Sequence, residues 1–92
     1  MKTNFIEECK AIVVEHTFAK NWAEIEGWWE LGKTLNEEES FTLKNIKRLA
    51  YEIERSEENI LRAILFYKKY PDLSMLPGGK NITWYSIIEN YL

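Results

Sequence analysis

The chain has 92 residues, of which 46% are hydrophobic, so it fits one small domain with a modest core. One cysteine and one histidine exclude an intrachain disulfide and a zinc site built from Cys and His ligands. The net charge of −3 argues, taken alone, against a strong nucleic-acid binder. No apolar run reaches the length of a signal peptide or the ~20 residues of a membrane span, so we expect a cytoplasmic protein without a membrane partner.

The charges are unevenly distributed. Residues 1–40 carry a net charge of −5, whereas residues 41–70 carry +3. This asymmetry is consistent with one face that tolerates phosphates and another that repels them. Two ordinary solvated surfaces would give the same distribution, and the sequence does not separate these two interpretations.

The N-terminal third is predicted to be a long helix over residues 3–35, because its apolar residues recur every three or four positions. Thr3 is a plausible N-cap. Gly27 and Gly32 weaken the helix, so a bend or break is predicted near "EGWWELGK", and a glycine close to Trp29 would let a second helix approach. The acidic "NEEES" (36–40) is predicted to be an exposed connection.

A helix-turn-helix-like hairpin is predicted over residues 42–70. Thr42 and Ser56 are the expected caps of its two helices, and Pro71 disfavours helix at Tyr70. "RSEE" (55–58) is the predicted turn. The apolar stripe of the first helix consists of Leu43, Ile46, Leu49, Ala50 and Ile53.

A closing helix is predicted over residues 83–92, with Thr83 as its cap, after a turn-rich "LPGGKN" loop (76–81). No strand-like alternation is present. The predicted fold is therefore all-α, a single domain over residues 1–92 that forms a compact bundle of four to five helices.

The hairpin has the apolar anchors and the cap of a DNA-binding helix-turn-helix, but two positions in its turn depart from the usual pattern. Glu54 stands where glycine is common, and Arg55 stands where a small apolar residue is common. In such motifs the early residues of the second helix face the base edges; here these are Glu57, Glu58, Asn59, Leu61 and Arg62.

Asn59 and Arg62 are residue types that read adenine and guanine, whereas a carboxylate close to phosphates weakens binding. For Glu57 and Glu58 we therefore favour a role at the positive end of the helix dipole. DNA contact, mainly to phosphates, is predicted for Lys44, Lys47, Arg48, Asn59, Arg62, Lys68 and Lys69, with plain solvation as the alternative.

The adjacent Trp28 and Trp29 point about 100° apart on a helix and cannot easily share one core. One of them could therefore cover an interface with a protein partner or with a second copy of the chain. A tryptophan at the edge of an apolar stripe is more often buried in the core. The acidic N-terminal helix could also occupy a basic nucleic-acid-binding groove on a partner, as an inhibitor would.

No catalytic constellation is apparent. The paired carboxylates lie in hydrophilic contexts, "PGGK" (77–80) lacks the spacing of a phosphate loop, and His16 falls on an apolar stripe. We expect a protein that is not an enzyme, with no cofactor, no metal and no small-molecule substrate.

Three stretches together resemble the N-terminal helical domain of YhcG-type nucleases of the PD-(D/E)xK class. "NWAEIEGWWELGKTL" (21–35) is similar to that domain's "N…YW-x-IG-x-x-I" segment, and "LAYEIERSEENILRAILFYKKYPDL" (49–73) is similar to the segment that ends in "Fy-x-x-yP". "ITWYSIIENYL" (82–92) looks like its closing helix. The matching residues are Asn21, Trp28, Trp29, Gly32, Phe66, Tyr67, Tyr70, Pro71, Thr83 and Trp84.

The resemblance covers about three quarters of the chain, and the link between the first two segments is shorter and more acidic than in the family. It implies an accessory domain that binds DNA or mediates assembly. The nuclease core of that family has no counterpart in these 92 residues, so no catalytic residue is inherited.

Overall fold

The computed structural model of the chain describes residues 2–16, 20–76 and 82–92. Within these ranges all regular structure is helical, which confirms the all-α prediction. The helices are α1 (Thr3–Glu15), α2 (Trp22–Glu37), α3 (Ile46–Ile53), α4 (Glu57–Lys69) and α5 (Trp84–Asn90). Short 3₁₀ turns, Leu43–Asn45 and Leu73–Met75, precede α3 and follow α4.

The predicted single helix over residues 3–35 is wrong, because α1 ends at Glu15 and α2 begins at Trp22. A straight helix of that length would measure about 50 Å, whereas the longest extent of the molecule is 36 Å. Asn21, just before α2, has a positive φ of 54°. The break precedes "EGWWELGK", so Gly27 and Gly32 both lie inside α2.

The closest helix pair is α2 and α4, while α1 packs on α2 and α3. Gly32 is the contact point between α2 and α4. A Cβ atom at this position would overlap the backbone carbonyl of Ala63, so only glycine fits without a shift of the helices. The expected close approach of a second helix to this segment is thus observed.

The core consists of two clusters of buried side chains. The first lies among α1, α2, α3 and the first half of α4, and the second lies among α2, the second half of α4 and α5. Trp28 packs against both clusters. The first contains Phe5, Cys9, Ile12, Leu31, Leu35, Ile46, Leu49, Ile53, Ile60, Ala63 and Ile64; the second contains Ile25, Phe66, Leu76, Ile82, Trp84 and Ile87.

The hairpin forms α3 and α4, and α3 is shorter than predicted. Residues 43–45 wind as a 3₁₀ turn, whose three-residue period differs from that of an α-helix, and Leu43 is 63% exposed. Its assignment to the apolar stripe was wrong. The rest of the predicted stripe is confirmed, since Ile46, Leu49 and Ile53 are buried and Ala50 packs against the first cluster.

Two of the four predicted caps form the expected side-chain hydrogen bond. Ser56 Oγ accepts a hydrogen bond from the Asn59 N–H at 3.1 Å, and Thr83 Oγ1 accepts one from the Ser86 N–H at 3.1 Å. Thr42 occupies the cap position of the 3₁₀ turn before α3 without a side-chain cap bond, and the prediction for Thr3 is wrong because Lys2 occupies the cap of α1. Residues 77–81 of the predicted loop lie outside the described part of the chain.

The turn between α3 and α4 is made by Glu54 in the left-handed conformation, with φ 56° and ψ 47°. The Ala50 carbonyl accepts hydrogen bonds from the N–H groups of Glu54 and Arg55, the pattern that ordinarily ends a helix at a glycine. A side chain in this conformation costs about 1–2 kcal/mol. The guanidinium of Arg55 donates to the Glu54 carbonyl at 2.8 Å, on the same turn.

Candidate nucleic-acid interface

Three basic side chains form one exposed stripe at α3. Lys47 and Arg48 follow Lys44 by three and four positions. This spacing places all three residues on one side of the helix and the turn before it. All three are exposed, and they lie opposite the side that buries Leu49 and Ile53. We call these three residues the α3 basic stripe.

The charges of the α3 basic stripe are available to a ligand. None of the three cations forms an ion pair within the described ranges of the chain. Tyr51 follows one turn after Lys47 and is 83% exposed. Its phenol extends the stripe with a group that can donate to a phosphate oxygen.

The two predicted base-reading residues bond to each other instead. Arg62 Nη1 donates to Asn59 Oδ1 at 3.4 Å, and Arg62 Nη2 lies 3.6 Å from the Glu58 carboxylate. Both side chains are half-buried on α4. Reading a base edge would therefore require Arg62 to leave its contacts with Asn59 and Glu58.

The exposed face of α4 is not uniformly basic. Glu57 and Glu58 occupy its first turn and are exposed, as expected for acidic residues that complement the helix dipole. Lys68 and Lys69 are exposed in its last turn. The seven predicted DNA contacts thus divide into the α3 basic stripe, the Asn59–Arg62 pair, and two lysines at the far end of α4.

The predicted interface residues Trp28 and Trp29 are half-buried and have partners within the chain. Trp28 stacks on Trp84, with ring centroids 5.5 Å apart and planes 15° from parallel. Trp29 Nε1 donates to the Tyr70 carbonyl at 2.8 Å, which ties α2 to the end of α4. The Lys33 ammonium lies over the Trp29 ring, 5.6 Å from its centroid.

His16 lies beside a carboxylate and a small cavity. His16 Nε2 lies 3.6 Å from the Glu30 carboxylate, near the surface. Beside His16 is a cavity of about 90 Å³, well below the ~300 Å³ of a small ligand site. It is lined by Ile12, Val13, His16, Glu24, Gly27, Trp28, Leu31 and Arg55. Within the described ranges, no three His, Cys, Asp or Glu side chains gather closely enough to hold a metal.

No family model, curated protein or solved structure matches this chain. The resemblance to the YhcG-type nuclease domain therefore stays a prediction. Within the described residues, no helix combines the length and apolar character needed to cross a lipid bilayer.

The sequence pattern placed Leu61 on the outward side of the second helix, but its pairing with a second exposed leucine, Leu65, was not predicted. Leu61 and Leu65 are 39% and 55% exposed, and they lie outside the stripe formed by Ile60 and Ile64. Their four-residue spacing, offset by one position from the buried pair, was a detectable signal of a second apolar face.

Proposed function

We propose that this chain is a non-catalytic DNA-binding module that contacts phosphates through the α3 basic stripe. The observation that carries the proposal is the availability of Lys44, Lys47 and Arg48: three exposed cations on one side of α3 that form no ion pair with the part of the chain that the structure describes. Lysine and arginine at such positions bind the DNA backbone by releasing condensed counterions.

The negative charge of residues 1–40 determines which side of the protein approaches DNA. Residues 1–40 carry a net −5, so phosphates are repelled from that part of the sequence and attracted to the α3 basic stripe. Glu57 and Glu58 at the start of α4 oppose its insertion into the major groove. Binding should therefore be independent of sequence, with α3 along the backbone instead of α4 reading bases.

The strength of this contact is limited by the number of charges. Three neutralised phosphates give a slope of about −2.7 for log K against log salt, so affinity should fall ~40-fold between ~50 and ~200 mM salt. The expected dissociation constant lies in the range of non-specific binding, roughly 10⁻⁴–10⁻⁶ M.

The test is the anisotropy of a dye-labelled random-sequence duplex at these two salt concentrations. We expect Lys47→Glu with Arg48→Glu to abolish binding while the helical circular dichroism is unchanged. The matched control, Lys20→Glu with Lys33→Glu, changes the net charge by the same amount away from α3 and should retain most of the affinity. Absence of binding at ~50 mM salt, or equal losses in both double variants, would contradict the proposal.

A further inference from the structure

The outward face of α4 has no packing partner among residues 2–16, 20–76 and 82–92. The inward side of α4 packs into the core, where the two clusters bury Ile60, Ala63, Ile64 and Phe66. Its outward side carries Glu58, Leu61, Leu65 and Lys68, at successive spacings of three, four and three residues. This is the spacing of the seam between two helices in a coiled coil.

The four outward positions are symmetric about residue 63. Leu61 and Leu65 lie two positions on either side of it, and Glu58 and Lys68 lie five positions on either side. Glu57 and Lys69 repeat the relation at six positions. An acidic start, an apolar centre and a basic end make this face complementary to its own copy turned end to end.

We propose that α4 pairs with α4 of a second copy of this chain in an antiparallel, two-fold symmetric dimer. With the axis at the level of residue 63, Leu61 of each protomer contacts Leu65 of the other, and Glu58 of each faces Lys68 of the other. Such an isologous contact closes on itself and forms a dimer rather than a filament.

Charge selects the antiparallel arrangement over the parallel one. In a parallel pair the two Glu58 carboxylates would face each other, as would the two Lys68 ammonium groups, and like charges at such positions are destabilising. Glu58 already lies 3.6 Å from Arg62 of its own helix. In the dimer, this carboxylate would therefore contact both Arg62 of the same protomer and Lys68 of the second copy.

The apolar contact continues beyond the helix itself. A shallow groove at the C-terminal end of α4 is lined by Leu65, Lys68, Lys69 and Leu92. Leu92 is 38% exposed and adds to the surface of the two leucines. Three partly exposed leucines per protomer bury less than the ~1,200 Å² at the low end of standard interfaces, so the dimer is weak and depends on concentration.

The inference concerns α4 alone and does not depend on DNA binding, which is assigned to the α3 basic stripe. Sedimentation velocity without DNA, from ~10 µM to ~1 mM protein, measures it directly. We expect the average mass to rise toward two protomers, and Leu61→Ser with Leu65→Ser to stay monomeric. Tyr51→Ser, which removes an even more exposed side chain from α3, is the control and should associate like the unmodified chain.

Charge exchange tests the antiparallel register. Glu58→Lys and Lys68→Glu should each weaken dimerisation at least tenfold, and the variant that combines both should regain most of it because opposite charges face each other again. Thermal unfolding of each variant verifies that α4 is intact. A monomer throughout the concentration range, a dimer insensitive to the leucine substitutions, or a double exchange no better than either single one would overturn the proposal.

Discussion

At the scale of single residues, Cys9 has the most altered chemistry. Its side chain is fully buried in the first cluster. Burial, with smaller contributions from the carboxylates of Glu8 and Glu38, raises the pKa of the Cys9 thiol from 9.0 to about 12. The protonated thiol is therefore a small apolar packing group in the folded chain.

This pKa makes folding sensitive to alkaline pH. Above pH 9 the unfolded chain releases the thiol proton while the folded chain keeps it, so the free energy of unfolding should fall as pH rises from 9 toward 12. The contribution of Cys9 to this slope approaches ~1.4 kcal/mol per pH unit. Urea unfolding at a series of pH values measures it.

Cys9→Ala is the control for this pH dependence. Below pH 9 it lowers stability through the cavity it creates, but it removes the thiol titration and should flatten the alkaline slope. An equal slope in both proteins would show that Cys9 is not the source of the pH dependence.

Local side-chain chemistry explains which residue-level predictions succeeded. Ser56 and Thr83 were predicted as caps and are caps, because a hydroxyl needs only an N–H three residues ahead. Glu54 was recognised only as a departure from the usual turn. Its left-handed conformation is imposed by the packing of α3 and α4 on the rest of the bundle, which no local pattern records.

At the scale of helices, the contact between α2 and α4 depends on Gly32. Gly32→Ala should lower the free energy of unfolding by about 2–3 kcal/mol, because the new methyl group meets the Ala63 backbone carbonyl and forces the two helices apart. Chemical denaturation followed by circular dichroism gives this value.

Gly27→Ala is the matched control in the same helix. There the new methyl group meets the side chain of His16, at 2.6 Å, rather than a backbone segment inside a helix. The gain of up to ~1 kcal/mol from replacing a glycine inside a helix applies to both variants, so it cancels in the comparison. We expect this variant to be at least ~1 kcal/mol more stable than Gly32→Ala; equal losses would show that the carbonyl contact is not limiting.

Helix types and faces were largely predictable from the sequence, whereas helix limits were not. The spacing of Leu49 and Ile53 correctly marked the buried side of α3. The break between α1 and α2 carries no proline, and the periodicity continues across it, so the pattern alone favoured one long helix. The break follows from the need to place both apolar faces on one core.

The residues of the candidate site could be predicted from the sequence, but the contacts that some of them make with distant residues could not. The basic residues of α3 are identifiable from charge and spacing, and the structure leaves them exposed. The contacts of Arg62 with Asn59 and Glu58 also follow helical spacing. Trp28 stacks on Trp84 of α5, and Trp29 donates to the Tyr70 carbonyl at the end of α4; contacts between residues so far apart in sequence cannot be predicted from a local pattern.

At the scale of the whole molecule, Trp28 connects the two clusters. Trp28→Ala should cost about 3 kcal/mol and also reduce the coupling between α5 and the rest of the bundle. Amide hydrogen exchange measures both effects. In the unmodified chain, the buried amides of α3 and α5 should exchange with similar free energies of opening. In the variant, the amides of α5 should exchange through a separate opening that has a lower free energy.

Trp29→Ala is the comparison, because Trp29 packs against the second cluster alone. It should lower stability without separating the exchange of α3 from that of α5. If Trp28→Ala lowers the protection of both helices equally, the two clusters are coupled by another route, such as α4 itself.

The placement of the tryptophans has a consequence for optical measurements. All four, Trp22, Trp28, Trp29 and Trp84, belong to or pack against the second cluster, whereas α3 and its turn carry none. Tryptophan emission therefore reports mainly the second cluster, and Trp28 extends it to the first. Binding at the α3 basic stripe should leave this emission nearly unchanged, so it has to be followed by a label on the DNA.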